Sequence, residues 1–136
     1  MTARAIGFQG YDHVGIRVSD AARALDFYAR LGFRLDPDCS SEGVAEIVAS
    51  DGTRINLIFN GIVRGNNVLL DEPVKWPGYT HGAFIVETLQ AVIDWAEREG
   101  VEITEGPVDW GRRVTCFLRD PDGNVLEFNE IKPNMR

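Results

Sequence analysis

The strongest constraint on this chain is that its apolar and polar residues run through the same cycle twice. Residues 11–18 alternate, with Val14, Ile16 and Val18 on one face and His13, Gly15 and Arg17 on the other, as in a half-buried strand. Ser19 or Asp20 offers an N-cap, Ala22, Leu25, Phe27, Tyr28 and Leu31 follow at near-helical spacing, and Gly32 closes the helix. Three short strands are expected next, at 33–36, 44–49 and 54–59, with Asp51-Gly52 suited to the turn between the last two. The second cycle opens at 79–86, where His81, Ala83 and Ile85 share a face. Its helix carries Leu89, Val92, Ile93, Trp95 and Ala96 and ends at Gly100. Strands are expected near 101–104, 113–119 and 125–130, with the turn Asp120-Pro121-Asp122-Gly123 before the last.

Each cycle is therefore a βαβββ unit, about 9–60 and 79–132, and the expected fold class is α+β. Residues 61–78 between them, with Gly65, Asn66, Asn67, Pro73, Pro77 and Gly78, have too little periodicity for a helix or strand. A linker, an active-site flap and a dimer contact are the readings open for such a loop. At 136 residues and 44% apolar content, the chain has room for one domain with a real core.

Charge narrows the choice of partner. Asp and Glu number 21 against 14 Lys and Arg, a net charge of -7, which favours a small-molecule ligand over nucleic acid or an anionic membrane. Apolar runs such as 55–59 are too short for a bilayer span and residues 1–10 have no signal-peptide core, so the expected location is the cytoplasm. Cys39 and Cys116 form no CxxC unit and read as core thiols.

The two histidines, His13 and His81, stand at equivalent points near the start of each opening strand. Alternation turns both away from the helix-packed side, and on strand 125–130 it sets Glu127 and Asn129 opposite Leu126 and Phe128. Two imidazoles and a carboxylate leave open positions on Fe(II), Mn, Co, Ni or Zn, so that substrate oxygens can bind the ion directly. Such an ion lowers the pKa of a bound hydroxyl or water and stabilises an alkoxide or enediolate. On the neighbouring strand Arg113, Thr115, Phe117 and Arg119 face the same way, and Arg17 approaches from the first opening strand. With Asn129 these form an expected substrate surface, an apolar floor and a cationic rim for an oxygen-rich anion. The plainer reading of each histidine is a hydrogen-bonded strand residue, and of each arginine a surface salt bridge. Their equivalence in the repeats is what favours the metal. Trp76 and Trp110, in loops, line a mouth or anchor a dimer.

The stretches Asp12-His13-Val14-Gly15-Ile16, ALDFYARLG (24–32), YTHGAF (79–84) and FLRDPDGNVLEF (117–128) resemble the glyoxalase, fosfomycin-resistance and extradiol-dioxygenase superfamily, the vicinal oxygen chelate proteins. The resemblance spans nearly the whole chain. It implies paired βαβββ modules curling into a U-shaped mixed sheet around one divalent metal, commonly completed across a homodimer. Residue by residue, it implies His13, His81 and Glu127 as ligands. The glyoxalase I branch adds a glutamate on the last strand of its first module, where this chain has Asn56, at best a weak fourth ligand and no carboxylate base. The fosfomycin and dioxygenase branches commonly carry a tyrosine ten residues before the last ligand, where Phe117 stands, and the dioxygenases use a further histidine. The leading expectation is a metal-dependent lyase or isomerase that chelates two vicinal oxygens of a small substrate and stabilises an enediolate, with Glu127 or a metal-bound water moving the proton. The alternatives are a non-catalytic binder of the bleomycin-resistance kind, a transferase using glutathione or another thiol, and an extradiol dioxygenase.

Overall fold

The computed structural model describes residues 5–133. The first cycle forms β1 (Val14–Arg17), α1 (Ala21–Leu31), β2 (Arg34–Leu35), β3 (Val44–Val48) and β4 (Arg54–Ile58), with a single 3-10 turn at Pro37–Cys39. The second forms β5 (His81–Val86), α2 (Leu89–Glu99), β6 (Ile103–Asp109), β7 (Arg113–Arg119) and β8 (Val125–Ile131). The result is α+β, two four-stranded mixed sheets of order β1-β4-β3-β2 and β5-β8-β7-β6. In each sheet the opening strand lies parallel to the closing one, and the remaining pairs are antiparallel. β1 and β5 are thus edge strands.

Both helices start and stop where their caps dictate. Asp20 accepts from the Arg23 amide and Thr88 from the Ala91 amide, while Gly32 and Gly100 close the helices at φ 115° and 69°, a region that strains any side chain. Phe27 of α1 meets Trp95 of α2 edge to face at 5.9 Å, and the Trp95 indole donates to the Arg30 carbonyl at 2.8 Å. Ile16, Ile47, Ile55 and Leu57 of the first sheet and Cys116, Leu118, Leu126 and Phe128 of the second join these helices in one shared core. By alternation His13, Asn56, His81 and Glu127 lie on the opposite sheet faces.

Three details depart from the sequence reading. β6 runs on to Asp109, because register shifts between Ile103 and Val108 let the strand pass Pro107, which has no N–H to give a ladder. β2 shrinks to two residues. Cys39 is exposed, so Cys116 is the core thiol. Residues 61–78 form no helix or strand, but they are anchored: Arg119 donates to both Asp71 carboxylate oxygens at 2.7 and 2.9 Å, and Asn67 Nδ2 donates to the Gly123 carbonyl at 3.0 Å. Among the described residues no helix is long and apolar enough to cross a membrane.

Candidate metal centre

The second sheet gathers five side chains by register alone. Ala83 and Phe117 both pair with Glu127, and Thr115 pairs with Asn129, so His81, Glu127, Asn129, Thr115 and Phe117 share a face. His81 Nε2 lies 3.2 Å from Glu127 Oε1. Their other polar atoms are committed elsewhere. His81 Nδ1 is 2.8 Å from Thr80 Oγ1, Asn129 Nδ2 donates to Glu127 Oε2 at 2.7 Å, and Thr115 Oγ1 donates to Asn129 Oδ1 at 2.6 Å. The Phe117 ring stands nearly perpendicular to the His81 ring, 5.6 Å between centroids. One ring nitrogen and one carboxylate oxygen are left facing each other. Neighbouring ligands at about 2.1 Å from an octahedral ion lie about 3 Å apart, so this spacing suits a shared divalent cation with little rearrangement.

Such supporting partners fix ligand orientation, and their loss typically weakens metal binding ten- to a hundredfold. Asn129→Leu is accordingly expected to weaken divalent-ion affinity by about that factor while the fold persists, measured by competition with a chromophoric chelator. An unchanged affinity would remove Asn129 from the supporting shell.

The first sheet carries a second, smaller group. Asn56 pairs with Gly15, two residues beyond His13, and points away from buried Ile55 and Leu57. Its Oδ1 is buried without a hydrogen-bond partner. An orphaned acceptor of this kind costs about 1–3 kcal/mol unless a donor or a cation reaches it. His13 Nδ1 is held by Asp12 Oδ2 at 2.6 Å, which leaves Nε2 as its outward nitrogen. Yet within one chain His13 does not come within 4.8 Å of both His81 and Glu127. Among the described residues the one trio that tight is Asp36, Cys39 and Glu46, and there Arg54 already supplies the cation at 2.9 and 2.7 Å. Within one chain, the His13 and Asn56 group and the His81 and Glu127 group are therefore separate clusters.

The sequence model of the Glyoxalase/Bleomycin resistance protein/Dioxygenase superfamily matches residues 10–128, a span that includes His13, Asn56, His81 and Glu127. The chain belongs to that superfamily. Among its relatives is a lactoylglutathione lyase of Haemophilus influenzae, 31% identical over 131 residues, covering 88% of this chain and 91% of the relative. A lactoylglutathione lyase of Pseudomonas aeruginosa is 27% identical over 157 residues, covering 91% of this chain and 84% of its own. A glyoxalase family protein from Enterococcus faecalis has the same fold at TM-score 0.71 and 23% identity, covering 90% of this chain and 98% of that one. So does an antibiotic binding protein from Streptomyces sp. CB03234, at TM-score 0.69 and 21% identity over 94% of this chain and 100% of that one.

Of the three arginines expected to form a cationic rim, Arg17 and Arg119 have partners. Arg119 is neutralised by Asp71, whose carboxyl it holds down at a pKa of about 2, and Arg17 Nε donates to Asn60 Oδ1 at 2.8 Å. Thr115 and Asn129 are 1% and 3% exposed and form a hydrogen-bonded floor beneath Glu127, their polar atoms already paired. Asp71 was invisible as a partner because it lies in a loop without periodicity, 48 residues from Arg119. Asp12 and Thr80, the polar residue directly before the histidine of each repeat, hold the two imidazole Nδ1 atoms, and that polar-His pair is a readable sequence signal.

Proposed function

We propose that two copies of this chain share each metal centre, His81 and Glu127 coming from one copy and His13 from the other, and that the centre serves a lyase or isomerase reaction on a small oxygenated substrate. The carrying observation is the His81 Nε2 and Glu127 Oε1 pair, 3.2 Å apart, with every neighbouring polar atom already bonded. Pairing of copies is supported by the two edge strands and by the apolar groups exposed beside them. Ile6, Phe8, Tyr11, Tyr79 and Ile85 are 71% exposed or more, apolar surface that a second copy would cover. Two nitrogens and a carboxylate suit Zn, Ni, Mn, Co or Fe(II), with Asn56 as a neutral, weaker donor.

When bound, the ion polarises two adjacent substrate oxygens and eases loss of a proton from the carbon beside them. Glu127 Oε1, the oxygen that Asn129 does not hold, would exchange between holding the ion and acting as base, taking up that proton and returning it to the neighbouring carbon. Asn129 and Thr115 keep the carboxylate from rotating, and Phe117, paired with Glu127 across the strands, sets its ring against His81. The relatives named as lactoylglutathione lyases support this reaction class, and a substrate carrying glutathione or another thiol falls within it. Asn56, where a four-ligand lyase has a carboxylate, leaves Glu127 to move the proton without a second carboxylate.

Metal analysis after dialysis against each ion tests the reading. About one ion per chain, in a particle of two chains by sedimentation, is expected. A folded, monomeric and metal-free protein in metal-supplemented buffer would contradict it. One observation favours a second reading, a non-catalytic small-molecule binder: a protonated His81 and Glu127 satisfy each other as an ion pair without a cation. Ligand affinity indifferent to chelators, with no turnover, would select that reading.

A further inference from the structure

Among the described residues four arginines have no hydrogen-bonded or ion-paired acceptor for their guanidinium: Arg34, Arg98, Arg112 and Arg113. The first three are exposed, while Arg113 is half-buried. With Trp110, Thr115, Phe117 and Glu127 it lines an open depression of about 290 Å³. In a chain with seven more acids than bases, an inward arginine without a carboxylate is an electrostatic position left open for something else.

The sheet sets how far that position lies from the metal centre. Phe117 pairs with Glu127, and Arg113 stands four residues back along β7 on the same face, about 13 Å between backbones at the strand rise. The floor between them is closed. Thr115 and Asn129 lie there, nearly without exposure, bonded to each other and to Glu127. A ligand crossing that floor meets side chains whose hydrogen bonds are already made, with the Phe117 ring at one end and the 64% exposed Trp110 at the mouth.

We propose that Arg113 is the anion-recognising residue of this site, and that the ligand is an elongated anion. One end presents two adjacent oxygens beside His81 and Glu127. A flat or apolar middle crosses Thr115 and Asn129 between Phe117 and Trp110. A carboxylate or phosphate at the far end takes the planar fork of Arg113 in a two-point contact. Only the chelating end rests on the metal reading above; the anionic end stands on Arg113 itself.

The probes are suberic monohydroxamate, which carries a two-oxygen chelating end and a distant carboxylate, and its methyl ester, titrated calorimetrically into zinc-loaded protein. Wild type is expected to bind the carboxylate at least tenfold more tightly than the ester. Arg113→Gln should bring the two affinities together by weakening the carboxylate alone, and Arg113→Lys should restore part of the difference. Melting curves of both variants confirm that the fold survives. A wild-type protein that does not distinguish the two probes, or an Arg113→Gln variant that keeps the wild-type ratio, overturns the inference. Should hydroxamate binding not depend on zinc, the chelation reading fails by itself. The same comparison with 4-phenylbutyrate and 4-phenylbutyramide in chelator then still decides whether Arg113 reads the charge.

Discussion

Replacing His81 with alanine is expected to weaken divalent-ion binding at least a hundredfold while leaving the melting temperature nearly unchanged. The first half follows because His81 Nε2 is one of the two atoms that the proposed centre takes from the second module, and loss of a direct ligand exceeds loss of a supporting group. The second half follows because the ring is about a third exposed and contributes a single edge contact, to Phe117, to the packing around it. Competition with a chromophoric chelator, beside a thermal melt, separates the effects. Retention of wild-type affinity would mean that Glu127 faces His81 as a plain ion pair. A collapse in stability would mean that the histidine is structural.

The second large effect is expected far from the metal, where the modules meet. Asp120 is 4% exposed and accepts from the Tyr28 hydroxyl at 2.8 Å, from the backbone of Asp122 and Asn124, and from the Asn124 side chain, each at 2.9 Å. The turn that opens β8 is thereby fastened to α1, and Ser19 and Arg23 bond Asp122 beside it. Asp120→Ala leaves one buried and three part-buried donors unpaired at once and should cost about 3 kcal/mol, lowering the melting temperature by about 10 °C. Tyr28→Phe removes one donor and should cost about 1 kcal/mol.

The pH dependence at this junction has an unusual sign. Burial pushes the Asp120 carboxyl above its ordinary range, although bonds from Asn124, Tyr28 and Asp122 pull the other way. A carboxyl whose folded-state pKa is raised contributes stability at low pH that is lost as pH climbs from the unfolded value, near 4, through the raised folded one. Asp71 behaves oppositely, its stabilisation fading as pH falls toward about 2. Melting curves between those limits should show the rising-pH loss in the wild type and not in Asp120→Asn. The same slope in both proteins would assign it to another group.

Much of this molecule was readable from residue order. Alternation and helical spacing placed both helices and the opening and closing strands, since a half-buried face leaves an apolar period and a cap leaves a polar or glycine signal. The same periods placed His81, Glu127, Asn129, Thr115 and Phe117 on one face, because register in a sheet is local and regular. What could not be read was set by long-range pairing. Nothing near Arg119 indicates that Asp71 will neutralise it, and strand alternation says which way Thr115 and Asn129 point but not that they lie beneath Glu127 with their hydrogen bonds spent. β6 outran expectation because a bulge, unlike a regular strand, has no apolar period. The repeat placed both histidines at equivalent points but could not show which copy of one module meets which copy of the other.

That last question is answered by mixing two defective proteins. His13→Ala and Glu127→Ala, each expected to bind no ion by itself, can be given different tags, unfolded together, refolded, and purified as mixed dimers. If His13 of one copy joins His81 and Glu127 of the other, one of the two centres is then intact, and about one ion per mixed dimer is expected. Mixed dimers that form and fold yet stay empty would contradict a centre shared between copies.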